Sequence, residues 1–188
     1  MITIEPPRST AAHVDGWTAW GLSRSGLSRF VKAAQAAVGL EGAVDVLLAG
    51  DATVRRLNRN FRGKDKATDV LSFPAATEFG DGHAGDLAIS LNTAERQAKQ
   101  HGHSLRDEVR VLLLHGLLHL AGMDHETDKG QMARREAELR LELRLPVGLI
   151  GRVEAKATAN AEDAKEKLGG RGGARRKVAA RGGKRVAV

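Results

Sequence analysis

The run His115-Gly116-Leu117-Leu118-His119-Leu120-Ala121-Gly122-Met123-Asp124-His125 constrains this chain more than any other stretch of it. Residues four apart on an α-helix lie about 40° apart around the axis and about 6 Å apart along it, so His115 and His119 project from one face. Gly122 can end such a helix at no steric cost, because glycine adopts the left-handed conformation freely. The chain can then turn and bring His125 back to the same point. Three converging imidazoles are the ligand set of a catalytic zinc, with a fourth position left for water or substrate. The bland alternative is two core histidines and an unrelated surface one. Its setting weakens it: Val109, Val111, Leu112, Leu113, Leu114, Leu117, Leu118 and Leu120 leave the helix almost no polar face and predict that it is buried. Burial disfavours the imidazolium and keeps the neutral ring that a metal requires.

The residue beside the first histidine narrows the chemistry. The offsets, with glycine seven residues after the first histidine, reproduce those of the metzincin proteases, H-E-x-x-H-x-x-G-x-x-H. In those enzymes the Glu is the general base. Here that place is Gly116, which has no side chain. A peptidase of the usual kind therefore lacks its base. Asp124 and Glu126 flank the third ligand, and either could act as a base or as a partner orienting an imidazole. For Asp124 the orienting role is the default.

Three blocks, taken in order, resemble the YbeY family of bacterial rRNA-maturation endoribonucleases. The metal run is one. A second is Leu57-Asn58-Arg59-Asn60-Phe61-Arg62, Asp65 and Thr68-Asp69-Val70-Leu71-Ser72-Phe73-Pro74, and the third is Gly85-Asp86-Leu87-Ala88-Ile89-Ser90. The resemblance spans roughly residues 1 to 148. This chain departs from the family pattern at Ala67, where Pro is usual, and at Met123, where Tyr is common. The resemblance implies one Zn²⁺ per chain on His115, His119 and His125, and gives Arg62 the phosphate-stabilising role in catalysis and substrate binding. It further implies an endoribonuclease specific for single strands that matures the 16S rRNA 3′ end and serves ribosome quality control. Its implied partners are rRNA and the small ribosomal subunit, together with a ribosome-assembly GTPase and small-subunit proteins. From the residues alone Arg62 is one of several cations, with Arg55, Arg56, Arg59, Lys64 and Lys66, and a solvated helix face is the simpler reading; Arg59 is a secondary candidate for holding the strand. Two other classes compete: an rRNA-binding assembly factor whose metal only holds the fold, and a zinc metalloprotease, against which Gly116 argues.

Charge divides the chain. Residues 1–150 carry nineteen basic and nineteen acidic side chains, whereas the last twenty residues carry seven Lys or Arg and no acid. The expected organisation is an endoribonuclease domain over 1–150 and a disordered basic Gly/Arg/Lys-rich tail over 151–188, since the tail buries too little to fold alone. Such a tail could grip RNA through counterion release, or simply solubilise the chain. With four Phe, two Trp and no Tyr, the chain lacks the run of stacking aromatics of many single-strand binders, so RNA contact is expected mainly at the backbone. No stretch approaches the ~18 apolar residues of a membrane span. The absence of Cys and a start without a signal-like apolar core fit a cytoplasmic location.

Periodicity predicts strands at 1–5, 43–49, 69–73 and 85–90, and helices at 23–38, 51–60, 92–100, 104–120 and 128–145. Asp51, Asn92 and Ser104 are the expected N-caps, with Asp107 completing a weak capping box. Pro74 should end its strand, and Thr77 to His83 should be a loop. This mixed order implies an α+β fold, a small mixed four-stranded sheet flanked by helices in a single domain.

Overall fold

The structure, a computed structural model, describes residues 1–6, 15–75, 82–125 and 127–146. Four strands form one sheet: β1 (Ile2–Ile4), β2 (Ala43–Ala49), β3 (Val70–Pro74) and β4 (His83–Ser90), in the order β1-β2-β4-β3. β1 and β4 run parallel to β2, while β3 runs antiparallel to β4 and forms one edge. The helices are α1 (Gly16–Trp20), α2 (Arg24–Val38), α3 (Asp51–Arg62), α4 (Leu91–His101), α5 (Leu105–Leu120) and α6 (Gln131–Glu142). The sheet is mixed and the fold is α+β, as the pattern of elements implied. The basic tail and the expected domain boundary near residue 150 lie outside the described residues.

The sheet's two faces follow from strand alternation. Val44, Val46 and Leu48 of β2 and Leu87 and Ile89 of β4 join α2 and α5 in the main core. On the opposite face Ala49, Leu71 and Ala88 pack with Val54 of α3, and Leu47, Leu57 and Phe73 lie beside them. α5 is the central helix, buried along most of its length and in contact with α2, α4, α6, β3 and β4. That explains its nearly continuous apolar sequence.

The caps differ from the expected ones in an instructive way. Gly50, not Asp51, occupies the N-cap of α3. Asp51 instead accepts from the hydroxyls of Ser90 and Thr93 and pairs with Arg96. Asn92 does not cap its own helix either. Ser90 accepts from Thr93 N–H to cap α4, and Asn92 Oδ1 accepts the N–H of Asp51 at the head of α3. Two helix starts thus exchange side chains across the ends of β2 and β4, a tertiary arrangement that single-helix cap rules do not contain. Ser104 does cap α5, accepting from Asp107 N–H at 3.1 Å.

Pro74 belongs to β3, opposite Gly85, rather than standing beyond the strand. It is tolerated because β3 is an edge, where a missing donor costs no ladder bond. Two strands and the last helix also shift by a few residues: β1 covers 2–4, β4 begins at His83, and α6 covers 131–142, with Asp128 accepting the N–H groups of Gly130, Gln131 and Met132 ahead of it. The five-residue α1 had no periodic signal to announce it. Most of the loop expected from 77 to 83 lies outside the described residues.

Candidate metal centre

The C-terminal end of α5 builds the site. Its last turn closes in a Schellman arrangement: Gly122, at φ +82°, donates its N–H to His119 O, and Met123 N–H reaches Leu118 O. A side chain at 122 would strain that left-handed backbone. The turn sends the chain back over the helix end and carries His125 to His115 and His119. The ligand nitrogens of the three residues all lie within 4.8 Å of one another, and the Nε2 atoms of His115 and His119 are 3.1 Å apart. A tetrahedral ion bound at about 2.1 Å would place its nitrogens about 3.4 Å apart; His115 and His119 already stand near that spacing, and the group as a whole would close from its 4.8 Å limit to hold an ion.

Two of the imidazoles are prepared for that role in different ways. His115 is buried, and its Nδ1 lies 3.0 Å from Oε2 of Glu136 on α6. A carboxylate can only accept there, so the proton sits on Nδ1 and the Nε2 lone pair faces the cavity. Glu136, 1% exposed, is itself held by Arg140, whose Nη1 lies 3.5 Å from Oε1. Burial, reinforced by the charges His115 and His125 would carry, pushes His119 down to about 4. The ring is therefore neutral and available at ordinary pH. Asp124 lines the cavity and accepts from the Thr127 hydroxyl at 3.2 Å. Sequence reasoning centred on Asp124 and did not single out Glu136. A signal existed, because Glu136 stands among Met132, Leu139 and Arg140 on the buried face of α6, where an acid needs a reason.

The histidines open into a cavity of about 670 Å³ walled by β3 and by the end of α3. Arg62 is the one Lys or Arg among its described lining residues. Two other cations of α3 are engaged: Arg55 makes a two-pronged bond to Asp65, holding that carboxyl below its usual range, and Arg59 lies 4.0 Å from the same carboxylate. Arg62 forms no ion pair or hydrogen bond among the described residues and is exposed at the cavity mouth. Asp69 also lines the cavity but is committed to Val70 N–H, Thr68 and Gln97.

Gly116 faces the sheet rather than the cavity. A Cβ at this position would stand 2.7 Å from Leu87 Cδ2 and 3.3 Å from Ser72 Oγ, and the Gly116 carbonyl accepts from Ser72 at 3.4 Å. A glutamate here would have to displace the buried Leu87 side chain, so packing as well as sequence disfavours a metzincin base at this position.

A family model described as Endoribonuclease YbeY matches residues 22–144 of the chain. Endoribonuclease YbeY of Koribacter versatilis is 53% identical over 137 residues, covering 73% of this chain and 88% of that protein. Its namesake in Solibacter usitatus is 50% identical over 134 residues, covering 71% and 88%. The solution structure of TM1509 from Thermotoga maritima is 27% identical, covers 76% of this chain and 89% of that one, and superposes with a TM-score of 0.48.

Proposed function

Because the chain belongs to the YbeY endoribonuclease family, we propose that it is a zinc-dependent, single-strand-specific endoribonuclease that matures the 3′ end of 16S rRNA and serves ribosome quality control. The observation that carries this reading is the convergence of His115, His119 and His125 on one cavity that also receives an unpaired Arg62. The three histidines would hold zinc, which when bound supplies a Lewis acid for a phosphate oxygen and for the attacking water.

The chain's own groups do the rest. Glu136 keeps the His115 proton on Nδ1 and fixes the ring's direction. Burial keeps His119 unprotonated. Phosphodiester cleavage places added negative charge on the nonbridging oxygens, and a guanidinium offers them two parallel hydrogen bonds with a permanent charge. Arg62, with no carboxylate to satisfy, is poised for that task. Arg59, shared with Asp65, contributes at most to the path of the strand. The rRNA, the small ribosomal subunit with its proteins, and a ribosome-assembly GTPase are the proposed partners. In its location the protein is proposed to be cytoplasmic; no helix among the described residues is long and apolar enough to cross a membrane.

The test is a defined single-stranded rRNA precursor incubated with gently purified protein, with protein treated with chelator, and with His119→Ala. Cleavage by the first alone, with about one zinc per chain and the treated protein still folded, is expected. Cleavage lost only in step with unfolding would make the metal a scaffold, and casein digestion without RNA digestion would make the protein a peptidase.

A further inference from the structure

Composition gives this chain few aromatic side chains, yet the fold places two of its four phenylalanines together at the edge of the histidine cavity. Phe61, in the last turn of α3, and Phe73, on β3, meet with ring centroids 5.2 Å apart and planes inclined at 64°. Phe61 is 68% exposed, one of three large hydrophobic side chains among the described residues left open to solvent. An edge-to-face contact uses the rim of one ring against the face of the other. It therefore braces the pair while leaving ring surface uncovered.

The pair also stands between two cavities. It lines the histidine cavity on one side and, on the other, a second cavity of about 440 Å³ on the α3 face of the sheet, bounded by Leu47, Leu57 and Ala88. Both cavities carry carboxylates, Asp69 and Asp124 in the first and Asp45 and Asp86 in the second, and Arg62 in the first is a cation that can draw a phosphate to this edge. Arg62 is also the chain neighbour of Phe61, so a phosphate held by the guanidinium brings its adjoining nucleotide within reach of the phenylalanine pair.

We propose that Phe61, braced by Phe73, is a stacking site for the unpaired nucleobase next to the phosphate bound at Arg62. The site reads the absence of base pairing and not the identity of the base, because every base offers a π-face. A base already stacked within a duplex has none to offer. The inference rests on the endoribonuclease reading and adds to it a physical source of single-strand preference, one that phosphate contacts cannot supply.

The test compares the full-length protein with Phe61→Ala, Phe61→Trp and Phe61→Leu. The probes are a labelled single-stranded 2′-O-methyl decaribonucleotide and the same strand made abasic throughout, both of equal charge. Binding is read by fluorescence anisotropy, and cleavage of unmodified RNA is followed in parallel. Loss of one stacked base should weaken binding of the intact strand about 5- to 150-fold in Phe61→Ala. Phe61→Leu should resemble the Ala variant, Phe61→Trp should retain wild-type affinity, and the abasic strand should bind all four proteins alike. In cleavage, KM should rise far more than kcat falls. The proposal is overturned if Phe61→Ala binds the intact strand as the wild type does, or if it weakens the abasic strand equally. In either case wild-type cleavage would leave the endoribonuclease reading standing. A wild-type protein that neither binds nor cleaves single-stranded RNA overturns both.

Discussion

Glu136→Gln isolates the support given to one of the three candidate metal ligands without changing side-chain size. The two carboxylate oxygens of Glu136 serve two donors, Oε2 receiving His115 Nδ1–H and Oε1 facing Arg140. A carboxamide has one oxygen. If that oxygen turns to His115, the amide NH₂ is set against the guanidinium, donor against donor. If it turns to Arg140, the NH₂ faces His115 and favours the tautomer with its proton on Nε2, the atom the metal needs. Neither arrangement is as good as the native one, and all three groups are buried. Loss of such a supporting partner costs a metal site about 10- to 100-fold in affinity, or about 1.4 to 2.7 kcal/mol. Leaving a buried donor unmet costs the folded chain about 1 to 3 kcal/mol. Glu136→Ala would instead remove a buried carboxylate partner of Arg140, at up to about 3 to 5 kcal/mol, and would confuse affinity with unfolding. The assay is competition for zinc against a chromophoric chelator, with circular dichroism to establish that the variant is folded. A folded Glu136→Gln protein with zinc affinity within twofold of the wild type would refute the reasoning.

Three further outcomes are expected. Arg62→Ala should lower RNA cleavage on the order of 10²-fold or more, with Arg62→Lys between it and the wild type, while zinc stays bound; near-normal cleavage by Arg62→Ala would remove it from the site. In chelator-treated protein, His119 is held at about 4 by burial against an ordinary 6.5, so the unfolded chain binds the extra proton between those values. Its stabilising contribution is then complete above about 6.5 and is lost as pH falls toward about 4, which melting temperatures should show and His119→Leu should flatten. Deleting residues 169–188 removes seven positive charges and should make the salt dependence of RNA binding shallower, with metal content and melting temperature unchanged; an unaltered slope would leave the tail a solubiliser.

The three histidines were legible because their geometry is local: a helical interval of four, then a turn that Gly122 announces. The central burial of α5 was legible for the same reason. Arg62 was not distinguishable by residue type, since only the fold shows that Asp65 occupies Arg55 and Arg59 and leaves Arg62 to the cavity. Glu136 lies 21 residues beyond His115 on another helix, an interval without periodic meaning. The exchanged caps of Asp51 and Asn92 failed as expectations because each side chain serves the neighbouring helix start instead of its own. Composition counted aromatics but could not tell that Phe61 and Phe73, distant along the chain, share an edge.

The division of the three histidines between α5 and the turn after it sets how an ion would leave. His115 and His119 belong to the most enclosed helix of the fold, whose opening approaches the cost of global unfolding. His125 follows the exposed Ala121 and Gly122, a segment of the kind that opens far more often. An ion held by all three would therefore escape in steps, with His125 letting go first while the other two kept their grip. Its residence time would then be clocked by breathing of a five-residue turn, and two proteins of equal overall stability would exchange their ions at very different speeds.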